Sequence, residues 1–145
     1  MIPFTQIAFG SINWSAVLVA TLAAYVFGAL WYSPLLFGKL WMKQSAVTKA
    51  NAEKAKAKGM TVSYVLQFVA TLVTTFVFAM ILEMNIVEGV KTGLIIGFYI
   101  WLGFSATSSV GAVLWDKKSW SWFSLCASNS LLTLWIIGAI LALWQ

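Results

Sequence analysis

Histidine and arginine are absent from this 145-residue chain, cysteine occurs once, proline twice, and only four residues are acidic. Each shortage removes a class of function. Without histidine there is no Ser/His/Asp set. One thiol, Cys126, excludes an internal disulfide and a Cys/His metal cluster. Without arginine the chain lacks the usual bidentate reader of phosphate and guanine, so its net charge of +5 does not point to nucleic acid. No carboxylate falls inside a long apolar run, which disfavours a proton-coupled exchanger built on an embedded acid. The Gly93–Gly97 pair lies within such a run rather than after a strand, so it is no phosphate loop. Neither a catalytic constellation nor a cofactor site is expected.

What remains is apolar. Hydrophobic residues fill 61% of the positions and charged ones 9%, with a mean hydropathy of +0.90. A soluble domain of this size has too much polar surface to cover with so few charges. The fold expected is all-α: one transmembrane domain, residues 1–145, with four membrane-spanning helices. Charge-free runs place the spans at about 12–32, 61–82, 92–115 and 120–143. Each supplies the ~20 apolar residues that cross a ~30 Å hydrocarbon core at ~1.5 Å per residue. The N-terminus has no basic leader, so the first apolar run is expected to stay in the mature protein.

Gly28–Trp41 is where the character of the chain changes, since nothing before Lys39 is charged. An apolar helix reaches Trp31 and Tyr32, meets Ser33–Pro34, and gives way to a short segment through Leu40–Trp41. Trp and Tyr favour the headgroup level, and proline disfavours helical geometry in the residue before it. Trp31, Tyr32, Pro34 and Trp41 thus read as interface anchors at the mouth of a span.

Lysines set the orientation. The loop 39–59 carries Lys39, Lys43, Lys49, Lys54, Lys56 and Lys58, and the third connection carries Lys117 and Lys118. The second connection has only Lys91, with Glu83 and Glu88, whose exposed carboxylates are expected to stay solvated. The positive-inside rule puts the first and third connections in the cytoplasm and both termini outside, in a cell membrane of the bacterial inner-membrane type. Within the first loop, Thr48–Gly59 has a capping threonine, Lys49 and Glu53 four apart, and a terminal glycine. It reads as a short solvated helix beside anionic headgroups.

Two patterns inside the spans bear on function. Ala16, Ala20, Ala24 and Gly28 recur every four residues in the first span; Gly93, Gly97, Gly103, Thr107 and Gly111 mark the third. Such stripes admit close helix contacts, within the chain or between copies, and suggest a homo-oligomer. Counting ~15 Å inward from the lysine-side aromatics places Thr21, Thr71, Ser105 and Asn129 at similar depth. That layer is either interhelical hydrogen bonding or the floor of a pocket. Trp101 and Trp135 lie too deep for interface anchors; they fill the core or, with Tyr99, line a cavity for a small amphiphilic ligand. Gly28–Trp31 and Gly111–Trp115 end spans that run in the same direction, which suggests a duplicated two-helix hairpin.

The stretch WYSPLLFGKLW, after a first span opened by Asn13–Trp14, resembles small bacterial membrane proteins of the domain of unknown function 1761 family. Trp101–Phe104, Gly111, Trp115, Trp120, Phe123, Asn129 and Gly138–Leu141 are similar to the rest of that pattern; Asp116–Lys118 departs from it. The resemblance implies four transmembrane helices and carries no activity. Two functions therefore stay open: an accessory membrane protein that self-associates through its small-residue faces, surrounded by lipid, or a carrier of a small apolar or weakly polar molecule.

Overall fold

Asn13 opens the first helix, α1 (Trp14–Trp31), because its Oδ1 accepts from the Ala16 amide at 3.1 Å. The computed structural model describes residues 10–45, 48–85 and 87–144. After α1 come α2 (Gly38–Gln44), α3 (Lys49–Ala57) and α4 (Thr61–Glu83). The third span is α5 (Val90–Ile100), a π-helical turn (Trp101–Ala106) and α6 (Thr107–Leu114), followed by α7 (Trp120–Leu143). Four of these units are long and apolar enough to cross a membrane: α1, α4, Val90–Leu114 and α7.

The break after α1 has a local cause. The Ser33 carbonyl accepts from the Leu36 and Gly38 amides and the Trp31 carbonyl from Phe37, which folds the Pro34 segment back on the helix end. Gly38 is buried there, and a Cβ on it would stand 2.6 Å from the Ser33 oxygen. Only glycine fits. Trp31 then packs on Phe37 at 4.5 Å and Tyr32 on Trp41 at 5.8 Å. In the lysine-rich loop, Thr48 Oγ1 accepts from the Asn51 amide and Gly59 has φ +82°, so α3 has the caps its sequence calls for.

The fourth span is the hub. It packs most extensively on α5 and α1, and α4 lies against α1 on the other side. Spans one and two form one antiparallel hairpin, and spans three and four another. The contact between α7 and α1 has no comparable counterpart between α4 and α5. Both lysine-bearing connections lie at one end of the bundle, where Ser119 Oγ donates to Gln44 Oε1 at 2.6 Å and Lys118 Nζ approaches the Ser45 carbonyl. The start of α1 and the end of α7 lie at the other, where Asn13 Nδ2 donates to the Trp144 carbonyl.

The main packed cluster lies toward the end where α1 begins, and Ala106, Leu125 and Ala127 are buried nearer the lysine end. Ile12, Ala16, Val17, Ala20, Ala24, Phe78, Ala79, Leu82, Leu134, Ile137 and Leu141 make one cluster, all toward the end where α1 begins and α4 and α7 finish. Toward the lysine end, α4 leaves Val62, Val65, Leu66 and Val69 exposed, and α6 has no buried residue. Packing is sparser at the lysine end, where Tyr25 reaches the Tyr64 carbonyl and Tyr32 lies against Cys126.

Candidate functional site

The more densely packed half is built on small residues. At the crossing of α5 and α7, Gly93 and Gly138 stand backbone to backbone; a Cβ on Gly138 would lie 2.5 Å from the Gly93 oxygen and 2.9 Å from Phe78 Cζ. One turn on, a Cβ on Gly97 would lie 3.2 Å from the Leu134 oxygen. The stripe in the first span is used likewise: Ala16, Ala20 and Ala24 are buried against the core. These five sequence-predicted contact residues therefore serve contacts within the chain. Gly138 belongs to the family-like pattern but was not among the expected contact residues, although its spacing with Ala142 is the same small-residue signal.

The other three face open space. A Cβ on Gly28, Gly103 or Gly111 would meet nothing within 4 Å. Gly103 and Gly111 flank the exposed Thr107, whose Oγ1 donates to the Gly103 carbonyl at 2.8 Å, so the three are stacked on one helix face. Hydroxyls on this half of the third span are turned back on their own helix: Ser109 Oγ donates to the Ser105 carbonyl at 2.7 Å, and Ser108 Oγ to Phe104 and Ser105. A flat face of small groups with its polarity internally satisfied can be laid against apolar neighbours at little cost.

The deep tryptophans have a structural task. Trp101 Nε1 donates to the Ala127 carbonyl of α7 at 2.8 Å, and Trp135 Nε1 to the Leu94 carbonyl of α5 at 3.2 Å. The two spans thus exchange indole bonds in opposite directions. Trp101 opens the π-helical turn, beyond which contact with α7 becomes sparse. Such one-residue expansions recur at functional positions. Trp135 also edges a shallow apolar groove of about 340 Å³ with Leu94, Ile95, Phe98 and Tyr99. Tyr99 is 66% exposed and reaches no polar partner in that groove.

The four midspan polar residues do not share one layer. Asn13 meets Trp144 at one end and Tyr32 lies against Cys126 at the other, so the antiparallel register sets Thr21 level with Ile136 and Gly28 level with Asn129. Trp14 stacks on Phe76 and Tyr25 on Phe68, which puts Thr71 near the height of Thr21. Asn129 lies about two turns nearer the lysine end, ~10 Å at 1.5 Å per residue, and Ser105, placed by the Gly97–Leu134 and Trp101–Ala127 contacts, lies about a turn or more beyond it. The equal-depth expectation fails because Tyr32 stands opposite Cys126, not opposite Trp120.

Thr21 and Thr75 are the fully buried polar residues among those described, and each donates to its own helix, to the Val17 and Thr71 carbonyls at 2.7 and 2.9 Å. Thr71 donates to Gln67. Asn129 differs: its Nδ2 is buried without a hydrogen-bond partner, as is Trp31 Nε1. A buried unpaired donor costs about 1–3 kcal/mol unless something outside the chain accepts from it. No group of three potential metal ligands exists among the described residues.

A family model described as "Protein of unknown function (DUF1761)" matches residues 15–142. No curated protein and no solved structure matches the chain.

Proposed function

The chain belongs to the DUF1761 family, whose description assigns no activity, and we propose from its geometry that it is an accessory membrane protein acting as a homodimer. One observation carries this reading. The third span repeats the same small-residue spacing twice: the Gly93–Gly97 pair is filled by the fourth span, while Gly103–Thr107–Gly111 meets nothing within the chain. A second copy presenting the same face across a two-fold axis fits it, because a flat stripe is self-complementary. The half of the bundle with fewer buried residues is the half such a contact would complete. We place the protein in the cell membrane with the lysine-bearing connections in the cytoplasm and both termini outside, following the eight-to-one lysine bias. No catalytic step is assigned to it.

Changing Gly103 and Gly111 together to Leu tests the proposal. A Cβ at either position meets no atom within 4 Å, so the fold is expected to be retained while the mating face is lost. Sedimentation in density-matched detergent should give a dimer for the wild type and a monomer for the variant, with equal unfolding midpoints. A wild-type monomer refutes the reading, and so does a variant that remains dimeric.

A carrier reading rests on a different residue. The unpaired Asn129 amide sits in the more sparsely packed half, where a weakly polar guest would supply the missing acceptor. Native mass spectrometry of the wild type and Asn129→Leu, beside a melting curve, separates the two roles. A guest lost at unchanged stability favours carriage; no guest in either sample leaves Asn129 a packing residue.

A further inference from the structure

At the end of the bundle where α1 starts lies a polar recess of about 440 Å³, lined by Ser11, Asn13, Glu83, Asn85 and Trp144. It joins the start of α1 to the last residues of α4 and α7. Its electrostatics favour positive charge. Glu83 supplies a carboxylate that makes no hydrogen bond or ion pair with any described residue. Two helix C-termini end here, each equivalent to about half a negative charge, against the N-terminus of α1 with about half a positive one. Both asparagines turn their amide donors into backbone carbonyls: Asn13 Nδ2 to Trp144 and Asn85 Nδ2 to Ile81. Each amide keeps a second N–H, and Asn13 Oδ1 already accepts from the Ala16 amide, so the Asn85 amide oxygen and the Glu83 carboxylate are the side-chain acceptors left to a guest. Trp144 adds an indole, 48% exposed. Lys91, the one lysine of this end, is exposed and is not among the lining residues.

We infer that this recess binds the ammonium group of a small organic amine or a lipid headgroup. A divalent metal is a poor match, since it takes six to eight closely set oxygens and the recess has one carboxylate. A single carboxylate balances a single cationic charge. An aromatic face beside a carboxylate suits an alkylated ammonium, which sheds water more readily than a bare ion and gains from the ring quadrupole. Glu88, the other acid of the same connection, is exposed and lies outside the recess, so it serves as the internal control.

The probes are tetramethylammonium and ethanolamine, titrated against the full chain in nanodiscs of phosphatidylglycerol alone, whose headgroup carries no amine. Saturation-transfer NMR should show saturable binding of both. Glu83→Gln should weaken it roughly tenfold or more, the loss expected when one charged partner is removed. Glu88→Gln should leave it unchanged. Trp144→Leu, a second variant that leaves the carboxylate in place, should weaken tetramethylammonium more than ethanolamine. Repeating the titration in discs that contain phosphatidylethanolamine tells the sources apart: competition identifies the lipid headgroup, and its absence a soluble amine. The inference is overturned if neither probe saturates, if Glu83→Gln binds as the wild type does, or if Glu88→Gln weakens binding equally.

Discussion

Replacing Gly138 by Ala adds one methyl group at the tightest point of the bundle, and its cost can be worked from the backbone. The new Cβ would lie 2.5 Å from the Gly93 oxygen, 2.9 Å from Phe78 Cζ and 3.0 Å from the Gly93 carbonyl carbon. Comfortable contact begins near 3.5 Å, so α5 and α7 must part by about 1 Å at this crossing. The two Gly93 atoms in the way are backbone, which cannot rotate aside, and the Phe78 ring is fully buried. Overpacking of this kind costs about 1–3 kcal/mol, offset by ~0.5–1 kcal/mol for removing a glycine from a helix interior. A net loss of about 1–2 kcal/mol is expected. Parting the helices also stretches the Trp135 bond to Leu94, which is already 3.2 Å. Gly103→Ala is the matched control: nothing lies within 4 Å of its Cβ, so the same chemistry in the same span should be neutral or stabilising by up to ~1 kcal/mol. The two variants should therefore differ by roughly 2 kcal/mol, a factor of ~30 in the unfolding equilibrium. Reversible unfolding in mixed micelles under sodium dodecyl sulfate, followed by near-ultraviolet circular dichroism on dilute protein, reads the difference. Equal midpoints for Gly138→Ala and Gly103→Ala would refute the claim that the bundle is keyed on the Gly93–Gly138 crossing.

Two further outcomes follow from the same contacts. Trp101→Phe keeps a ring but loses the 2.8 Å bond to Ala127, and should cost about 0.5–1.5 kcal/mol; Trp135→Phe, losing a 3.2 Å bond, should cost no more. The unfolding midpoints should follow that order, and a larger effect at Trp135 would contradict it. For orientation, with Cys126 changed to Ser, Asn51→Cys should resist an impermeant maleimide in intact cells and Asn85→Cys should react; the reverse pattern would invert the topology.

The spans were legible because charge is so scarce that each lysine or glutamate marks a boundary. α1 ends at Trp31, before the Ser33–Pro34 break, and α4 runs to Glu83, the first acid after its apolar run. Thr48 and Gly59 declared the ends of α3 through side-chain and φ requirements that are local. The partners of the small-residue stripes were not legible, since Gly93 and Gly103 look alike in sequence and differ only in what the fourth span reaches. The π-helical turn is hidden for the same reason. It depends on Trp101 finding a carbonyl 26 residues away in another helix. The depth of Asn129 was misjudged because all aromatics were set at one height, whereas packing slides α7 until Cys126 meets Tyr32. Chemistry at the end where α1 starts was half visible: Glu83 and Glu88 are equal in sequence, and only the fold puts one of them in a recess.

The dimer face is tested most directly by a cysteine at its centre. In a Cys126→Ser background, Thr107→Cys places a thiol between Gly103 and Gly111, where a two-fold contact brings the two Cα atoms within the ~4.4–6.8 Å that a disulfide spans. Mild oxidation of native membranes should convert Thr107→Cys to a covalent dimer while Val69→Cys, exposed on α4, stays monomeric. Failure of Thr107→Cys to cross-link, or cross-linking of Val69→Cys to the same extent, would contradict the account.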